Sequence, residues 1–452
     1  MSEEKFIIDK YMPALCADAE DRYAIPASYF TAAVHRGLRN ADGTGVLVGA
    51  TRIGSVRGYT MEDGERVPMD GQLLYRGIRV SEIVENHWEA GTFGYEEVAY
   101  LLLLGKLPKK FEMELFYAMM AEARPLPNGF FDDMILKNPS PNVMNGLARS
   151  ILALYTYDDN PDDRSVENLM AQSVSLIARL PVIVAQTYQV KRHVYDGKSL
   201  YIHRPKDELS LSENFLRLIR KDKSYTPEEA RLLDMMLILH AEHGAGNNSA
   251  FTCRAMSSSG TDTYSAIAGA VGALKGPLHG GANAKVLEMF RYLTETIQDK
   301  SDDGEIRDVL TKLLEGQGGD GSGKIYGLGH AVYTLSDPRA VAIKKHAREM
   351  AETTGRSEEF EFMERVERVG LELLMEKKKD GFPMCANVDF YSGFVYSMLR
   401  IPPELYTPLF AIARIAGWCA HRMEEALTGG RIMRPAYRAV MEKTQYVPMD
   451  KR

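Results

Sequence analysis

The chain has 452 residues, 45% of them hydrophobic and 26% charged, with a formal net charge of −7. That is length enough for two domains, or for one large core with a smaller lobe, at a composition ordinary for a soluble globular protein. The acidic balance argues against general nucleic-acid binding, so an anionic ligand must be met by local clusters of Arg and His.

The opening Met1-Ser-Glu-Glu-Lys5 is charged and acidic at once and does not read as a signal peptide. Cys16, Cys253, Cys385 and Cys419 are scattered without CxxC spacing, which points to reduced thiols in a cytosol-like compartment. One region reads as sheet. Between Val46 and Ile78, β-branched residues alternate around Asp63-Gly64 and Asp70-Gly71, both expected to be hairpin turns. The rest reads mainly as helix. Tyr95 to Leu104 carries strong helix formers and stops at Gly105, with Pro108 beyond. Apolar runs such as Tyr100 to Leu104 and Leu180 to Ala185 are too short to cross a bilayer. Thr226-Pro-Glu-Glu229 is a capping box that opens an apolar helix toward His240, and Asp337-Pro338 caps another through Ala340 to Glu352. The glycine-rich Gly316 to Gly323 reads as a loop.

Four segments could carry chemistry. The helix ending at His240 delivers His240 and His243, three residues apart, to glycines 244 and 246. A metal reading would join both to Glu242, but no HExxH spacing or further ligand follows; helix capping is the plainer role, more so for His240. In Gly276-Pro-Leu-His-Gly-Gly-Ala-Asn283, His279 sits on a loop whose glycines permit close ligand approach. A helix expected near Ala284 would aim free N–H groups at an oxyanion there. In Gly327-Leu-Gly-His330 through Asp337-Pro-Arg339, His330 follows a G-x-G turn. Arg339 lies in a first helical turn, where the macrodipole disfavours a cation: either solvent or a bound anion answers it. Finally, Asp389 precedes an apolar helix, as an N-cap would. Arg414 is embedded among residues that want burial, so an internal carboxylate or a ligand must pair with it. Gly429 to Pro435 adds Arg431 and Arg434 on a loop. Gly318 to Lys324 has P-loop glycine and lysine spacing, but Ile325 replaces the hydroxyl and the residues before it read as helix.

Taken in order, Gly276–Asn283, Gly329-His-Ala-Val through Arg339, Asn387-Val-Asp-Phe-Tyr-Ser-Gly393 and Ala413–His421 resemble the citrate synthase family, with a thinner match in Gly71–Gly77 and Glu97–Leu102. The resemblance implies a mainly α, two-domain helical fold with a small N-terminal antiparallel β element. A large domain would comprise residues 1–283 and 385–452, and a small domain, 284–384, would close over the active site. It further implies a soluble cytoplasmic homodimer that condenses acetyl-CoA with oxaloacetate at entry to the tricarboxylic acid cycle, without metal, cofactor, nucleic acid or membrane. Asp389 would take the methyl proton, His279 would hydrogen-bond the thioester oxygen and His330 would polarise the oxaloacetate carbonyl. His243, Arg339 and Arg414 would hold the carboxylates together with Arg434 of the partner subunit, and citryl-CoA would then be hydrolysed. The alternative within the family is 2-methylcitrate synthase, which uses propionyl-CoA; one methylene discriminates by only ~1–3 kcal/mol. Two features depart from the family. Thr334 and Leu335 stand where a cation for the CoA phosphates is common, and the Gly316–Gly323 stretch is unusual.

Overall fold

Asp63 and Gly64 both take positive φ, 50° and 85°, the backbone of a two-residue turn whose twist matches the strands it joins. They connect β1 (Gly54–Glu62) to β2 (Glu65–Tyr75), paired antiparallel from Glu62↔Glu65 to Gly54↔Tyr75 with an irregularity between Arg57 and Tyr59. The second turn is not at Asp70-Gly71, which lies inside β2. It is at Arg76-Gly77, φ 50° and 92°, which leads into the short β3 (Ile78–Arg79). The three strands form one sheet in sequence order.

The chain is otherwise helical in this computed structural model, which describes residues 12, 16, 23, 25–31, 33–40, 42–378, 381–428 and 430–452. Met1–Lys5, read above as charged, and Gly429 lie outside the described residues. The helices are α1 (Val80–Ala90), α2 (Tyr95–Leu104), α3 (Lys110–Ala123), α4 (Val143–Leu154), α5 (Val166–Asp196), α6 (Leu211–Ile219), α7 (Pro227–His240) and α8 (Asn248–Ser258). Beyond them come α9 (Thr263–Lys275), α10 (Ala282–Thr296), α11 (Asp303–Leu314), α12 (Pro338–Thr354), α13 (Ser357–Lys377), α14 (Val388–Met398) and α15 (Tyr406–Leu427). Local chemistry sets several ends. Gly105 stops α2 in the left-handed region, and the Thr226–Glu229 box caps α7 with hydrogen bonds of 3.0 and 3.2 Å.

Residues 50–433 form one compact unit; 1–49 with 434–452 form another, which contains a 3-10 turn at Ala27–Tyr29 and an isolated bridge between Arg39 and Gly45. In the first, α15 is buried on nearly every face, Arg414, His421 and Arg422 included, and is therefore central. It packs against α2, α5, α7, α8 and α9, with Leu409, Ile412, Ile415 and Trp418 fully buried. Each such aliphatic side chain contributes about 1.5–3 kcal/mol of burial. α5 runs unbroken through Pro181 and is long and apolar enough to cross a membrane. However, 72% of its apolar window is buried inside the protein, which makes it a core helix. α10 and α12 pack against α14. The four cysteines are free thiols, Cys16 exposed and the others buried. The Gly316–Gly323 loop follows α11 directly, without the strand that a P-loop requires.

Candidate active site

The end of α7 supplies the first pair of histidines. His240 is buried, its Nδ1 2.7 Å from the Met236 carbonyl, and burial lowers its pKa to about 3. It is a structural residue, as the plainer reading expects. His243, beyond the helix end, keeps an accessible face; its Nε2 lies 3.2 Å from the Tyr333 hydroxyl. Burial, then the charges of Arg339 and others, hold it well below the ordinary imidazole range. The Glu242 carboxylate turns away from both. Its Oε1 accepts from Gly244 N at 2.5 Å and lies 3.0 Å from His421 Nε2. Among the described residues no three His, Cys, Asp or Glu side chains converge as a metal-binding group.

His279 sits on the turn between α9 and α10, where Gly280 N bonds Leu274 O at 3.0 Å. A Cβ on Gly280 would collide with that carbonyl. α10 starts at Ala282, two residues before the expected position, and Gly281 offers no side-chain cap. The backbone N–H of Ser249 donates to His279 Nε2 at 3.3 Å, and the Ser249 hydroxyl lies 2.9 Å from the same nitrogen. Because an N–H can only donate, Nε2 accepts and the proton of the neutral ring sits on Nδ1. Burial, then Arg414, lowers the pKa of His279 to about 4, so the neutral form prevails at physiological pH.

The same reasoning applied to His330 gives the opposite tautomer. Val332 N and Tyr333 N both donate to its Nδ1, at 3.0 and 3.1 Å, so the proton sits on Nε2. Its ring stands 5.4 Å from that of His243 and stacks on Tyr333 at 4.6 Å and 28°. The loop carrying it is pinned to the entrance of α14: Gly329 N bonds Cys385 O at 2.8 Å, Asn387 N bonds Gly327 O at 2.8 Å, and Asn387 Nδ2 bonds Gly329 O at 2.9 Å. Asn387, not Asp389, is the N-cap of α14; its side chain accepts from Asp389 N. Asp389 is thereby freed from capping. Burial pushes its carboxyl up to about 6, against the lowering influence of Arg339 and Arg414.

The two arginines differ. Arg339 is buried and held by its own helix cap: Nε and Nη2 donate to the Asp337 carboxylate at 3.0 and 2.7 Å. An internal carboxylate thus answers the unfavourable dipole position, leaving Nη1 and one Nη2 proton. Arg414, 1% exposed, gives only its Nε to the His240 carbonyl, at 2.6 Å. Its Nη2 is buried with no hydrogen-bond partner among the described residues, and desolvation lowers its pKa to about 10. Its charge acts on His279, His243 and Asp389 together. Phe410, one turn earlier on α15, lies under that guanidinium at 4.6 Å and contacts the His240 and His279 rings. Arg434 is exposed and belongs to the other compact unit.

Sequence reading missed Tyr333, Ser249, Asn387 and Phe410. Only Asn387 carried a local signal, the cap preference of Asn two residues before an acidic first turn.

Residues 40–436 match the family model described as citrate synthase, C-terminal domain. The chain is 35% identical over 384 residues to a citrate synthase of Synechocystis sp., covering 85% of this chain and 89% of the relative. It is 33% identical over 395 residues to 2-methylcitrate synthase 1 of Corynebacterium glutamicum, covering 85% and 94%. Its structure is similar, with a TM-score of 0.73 and 25% identity over 90% of this chain and 97% of the other, to the ternary complex of a Thermoplasma acidophilum citrate synthase with carboxymethyl coenzyme A and oxaloacetate.

Proposed function

The chain belongs to the citrate synthase family of Claisen-type condensing enzymes, and we propose that its cleft joins the methyl carbon of acetyl-CoA to the keto carbon of oxaloacetate and hydrolyses the citryl-CoA formed. The observation that carries this reading is Arg414: its buried Nη2 has no hydrogen-bond partner among the described residues, and the nearby Glu242 carboxylate acts on it through charge alone, so a ligand oxygen is called for beside three histidines and a raised carboxyl. A dicarboxylate meets that demand, with His243 and the remaining donors of Arg339 as further ligands and Arg434 of the partner subunit completing the set in a homodimer.

The chemistry follows from the tautomers. Asp389 removes a proton from the methyl group while His279 Nδ1–H hydrogen-bonds the thioester oxygen, so charge on the forming enol is shared as it develops. A positioned base contributes typically ~10²–10⁴-fold, and a donor at a developing oxyanion ~3 kcal/mol. A pKa of about 6 suits the base: ionised at neutral pH, yet more basic than an exposed aspartate. His330 Nε2–H polarises the oxaloacetate ketone, the enol carbon attacks it, and the alkoxide accepts that hydrogen bond as the new C–C bond forms. Closure of residues 284–384 over the cleft would exclude water from the enol. We assign the protein to the cytoplasm and the steps to its own side chains, without metal or cofactor.

The test is thiol release from acetyl-CoA, and separately from propionyl-CoA, by the purified protein with and without oxaloacetate. Oxaloacetate-dependent release from acetyl-CoA supports the reading. A clear preference for propionyl-CoA would convert it to 2-methylcitrate synthesis, and release independent of oxaloacetate would overturn it.

A further inference from the structure

Tyr333 touches three groups of the cleft, and its hydroxyl and ring do different work. It is 2% exposed. Its hydroxyl lies 3.2 Å from His243 Nε2, its ring stacks on His330, and the Arg339 guanidinium carbon lies 5.7 Å from the ring centre. The ring is closely packed. The hairpin lies against it: a Cβ at Gly71 of β2 would come within 2.7 Å of Tyr333 Cδ1, and a Cβ at Gly58 of β1 within 2.5 Å of its Cα. Thr334 and Ser336 fasten the same segment to the hairpin: Thr334 Oγ1 donates to Gly58 O and accepts from Met69 N at 3.2 Å, and Ser336 Oγ accepts from Gly71 N at 3.1 Å. The hairpin is a clamp on Tyr333.

We propose that Tyr333 is a positioning residue for the dicarboxylate: its hydroxyl donates to His243 Nε2, which places the His243 proton on Nδ1 for the ligand carboxylate, while its ring fixes the plane of His330. The direction of the hydrogen bond follows from chemistry. A neutral imidazole carries one N–H. If Nε2 held it, the ring would present a bare acceptor nitrogen to an anionic ligand, and repulsion would follow. With the phenol donating, both His243 and His330 present N–H groups to the same ligand. Burial raises the Tyr333 pKa, so the phenol remains protonated and able to donate. Neighbouring Arg339 then sees a cation–π surface on one side and the Asp337 carboxylate on the other, which orients its remaining donors.

This rests on the proposed function, and its experiment separates the two. Oxaloacetate affinity is measured by calorimetry on the full-length wild type and on Tyr333→Phe, which keeps the ring and the fold, alongside kcat and both KM values. We expect Tyr333→Phe to weaken oxaloacetate binding about 10-fold and raise its KM similarly, with the acetyl-CoA KM within twofold and Tm unchanged. Tyr333→Leu, which also removes the stacked ring, should lower kcat a further 10-fold or more. Selective ¹⁵N-histidine spectra should show an Nδ1–H tautomer for His243 in the wild type. Unchanged oxaloacetate affinity in Tyr333→Phe, or an Nε2–H tautomer for His243, would overturn the inference even if the wild type condenses its substrates normally. A wild type that binds oxaloacetate but does not condense would instead overturn the function alone.

Discussion

As the proposed base, Asp389 would link catalysis and stability in opposite directions, and Asp389→Asn exposes both. Its folded pKa of about 6 lies above the usual 3.8 because burial disfavours the charged form. The sign is that of a raised acid: folding is penalised as the carboxyl is forced to ionise, a cost absent below the unfolded pKa, growing from pH 3.8 to 6 and complete above 6. Full conversion of the shift gives at most about 3 kcal/mol. The carboxyl keeps an accessible face, so ~1–2 kcal/mol is the realistic size. At pH 8, Asp389→Asn should therefore raise Tm by about 1–2 °C, while below pH 4 the two proteins should melt together. In the same variant condensation should be abolished with oxaloacetate binding nearly intact, because the base acts on the other substrate. In the wild type, with both substrates far below saturation, kcat/KM should fall as pH drops through about 6, to roughly a tenth of its plateau at pH 5. Below about pH 4, protonation of His279 should steepen the decline. Calorimetry, differential scanning measurements at two pH values and a pH–rate profile give the answer. Near-normal turnover of Asp389→Asn, or a wild-type profile flat down to pH 5, would remove Asp389 as the base.

Further outcomes are expected. Activity should persist after exhaustive chelation; a rate lost to EDTA and restored by zinc would contradict the metal-free mechanism. Gly71→Ala should cut kcat at least 10-fold and lower Tm, because its Cβ would drive into the Ser336 carbonyl and the Tyr333 ring; wild-type kinetics would show that the hairpin does not position the loop. Arg414→Ala and Arg434→Ala should each weaken oxaloacetate binding by ~2–5 kcal/mol, as for a truncated buried charge pair. Co-refolding the two inactive variants should recover activity, since one site of a mixed dimer holds both arginines. No recovery, with mixed dimers confirmed by mass, would place both arginines in one subunit's site.

What could be read in advance was what local chemistry determines. Asp63-Gly64 reads as a turn because two consecutive positive φ values are a local demand, and the Thr226–Glu229 box closes within four residues. Asp70-Gly71 has the same letters and is strand, because its glycine answers a remote carbonyl, that of Ser336, which no neighbouring residue reveals. The Arg339–Asp337 pair was within reach: an N-cap aspartate two residues before an arginine puts both on one turn. Tyr333 was not, since its value lies in two histidines that meet it only in the fold.

Two buried arginine cations, Arg339 and Arg414, reinforce what burial does to His243 and His279, and they suit a carboxylate in the role proposed for Asp389. Another positive charge there would be repelled by Arg339 and Arg414 as well as desolvated, and both effects act on His243. The same two charges lower the pKa of Asp389, partly offsetting what burial does to it. A dicarboxylate seated on the arginines cancels their field and adds negative charge close by, so the Asp389 carboxylate becomes more basic once oxaloacetate is bound. With Asp389 as the proposed base, the field of the two arginines keeps its carboxylate less basic until the dicarboxylate is seated, and the carboxylate is more basic when an electrophile is present to receive the enol.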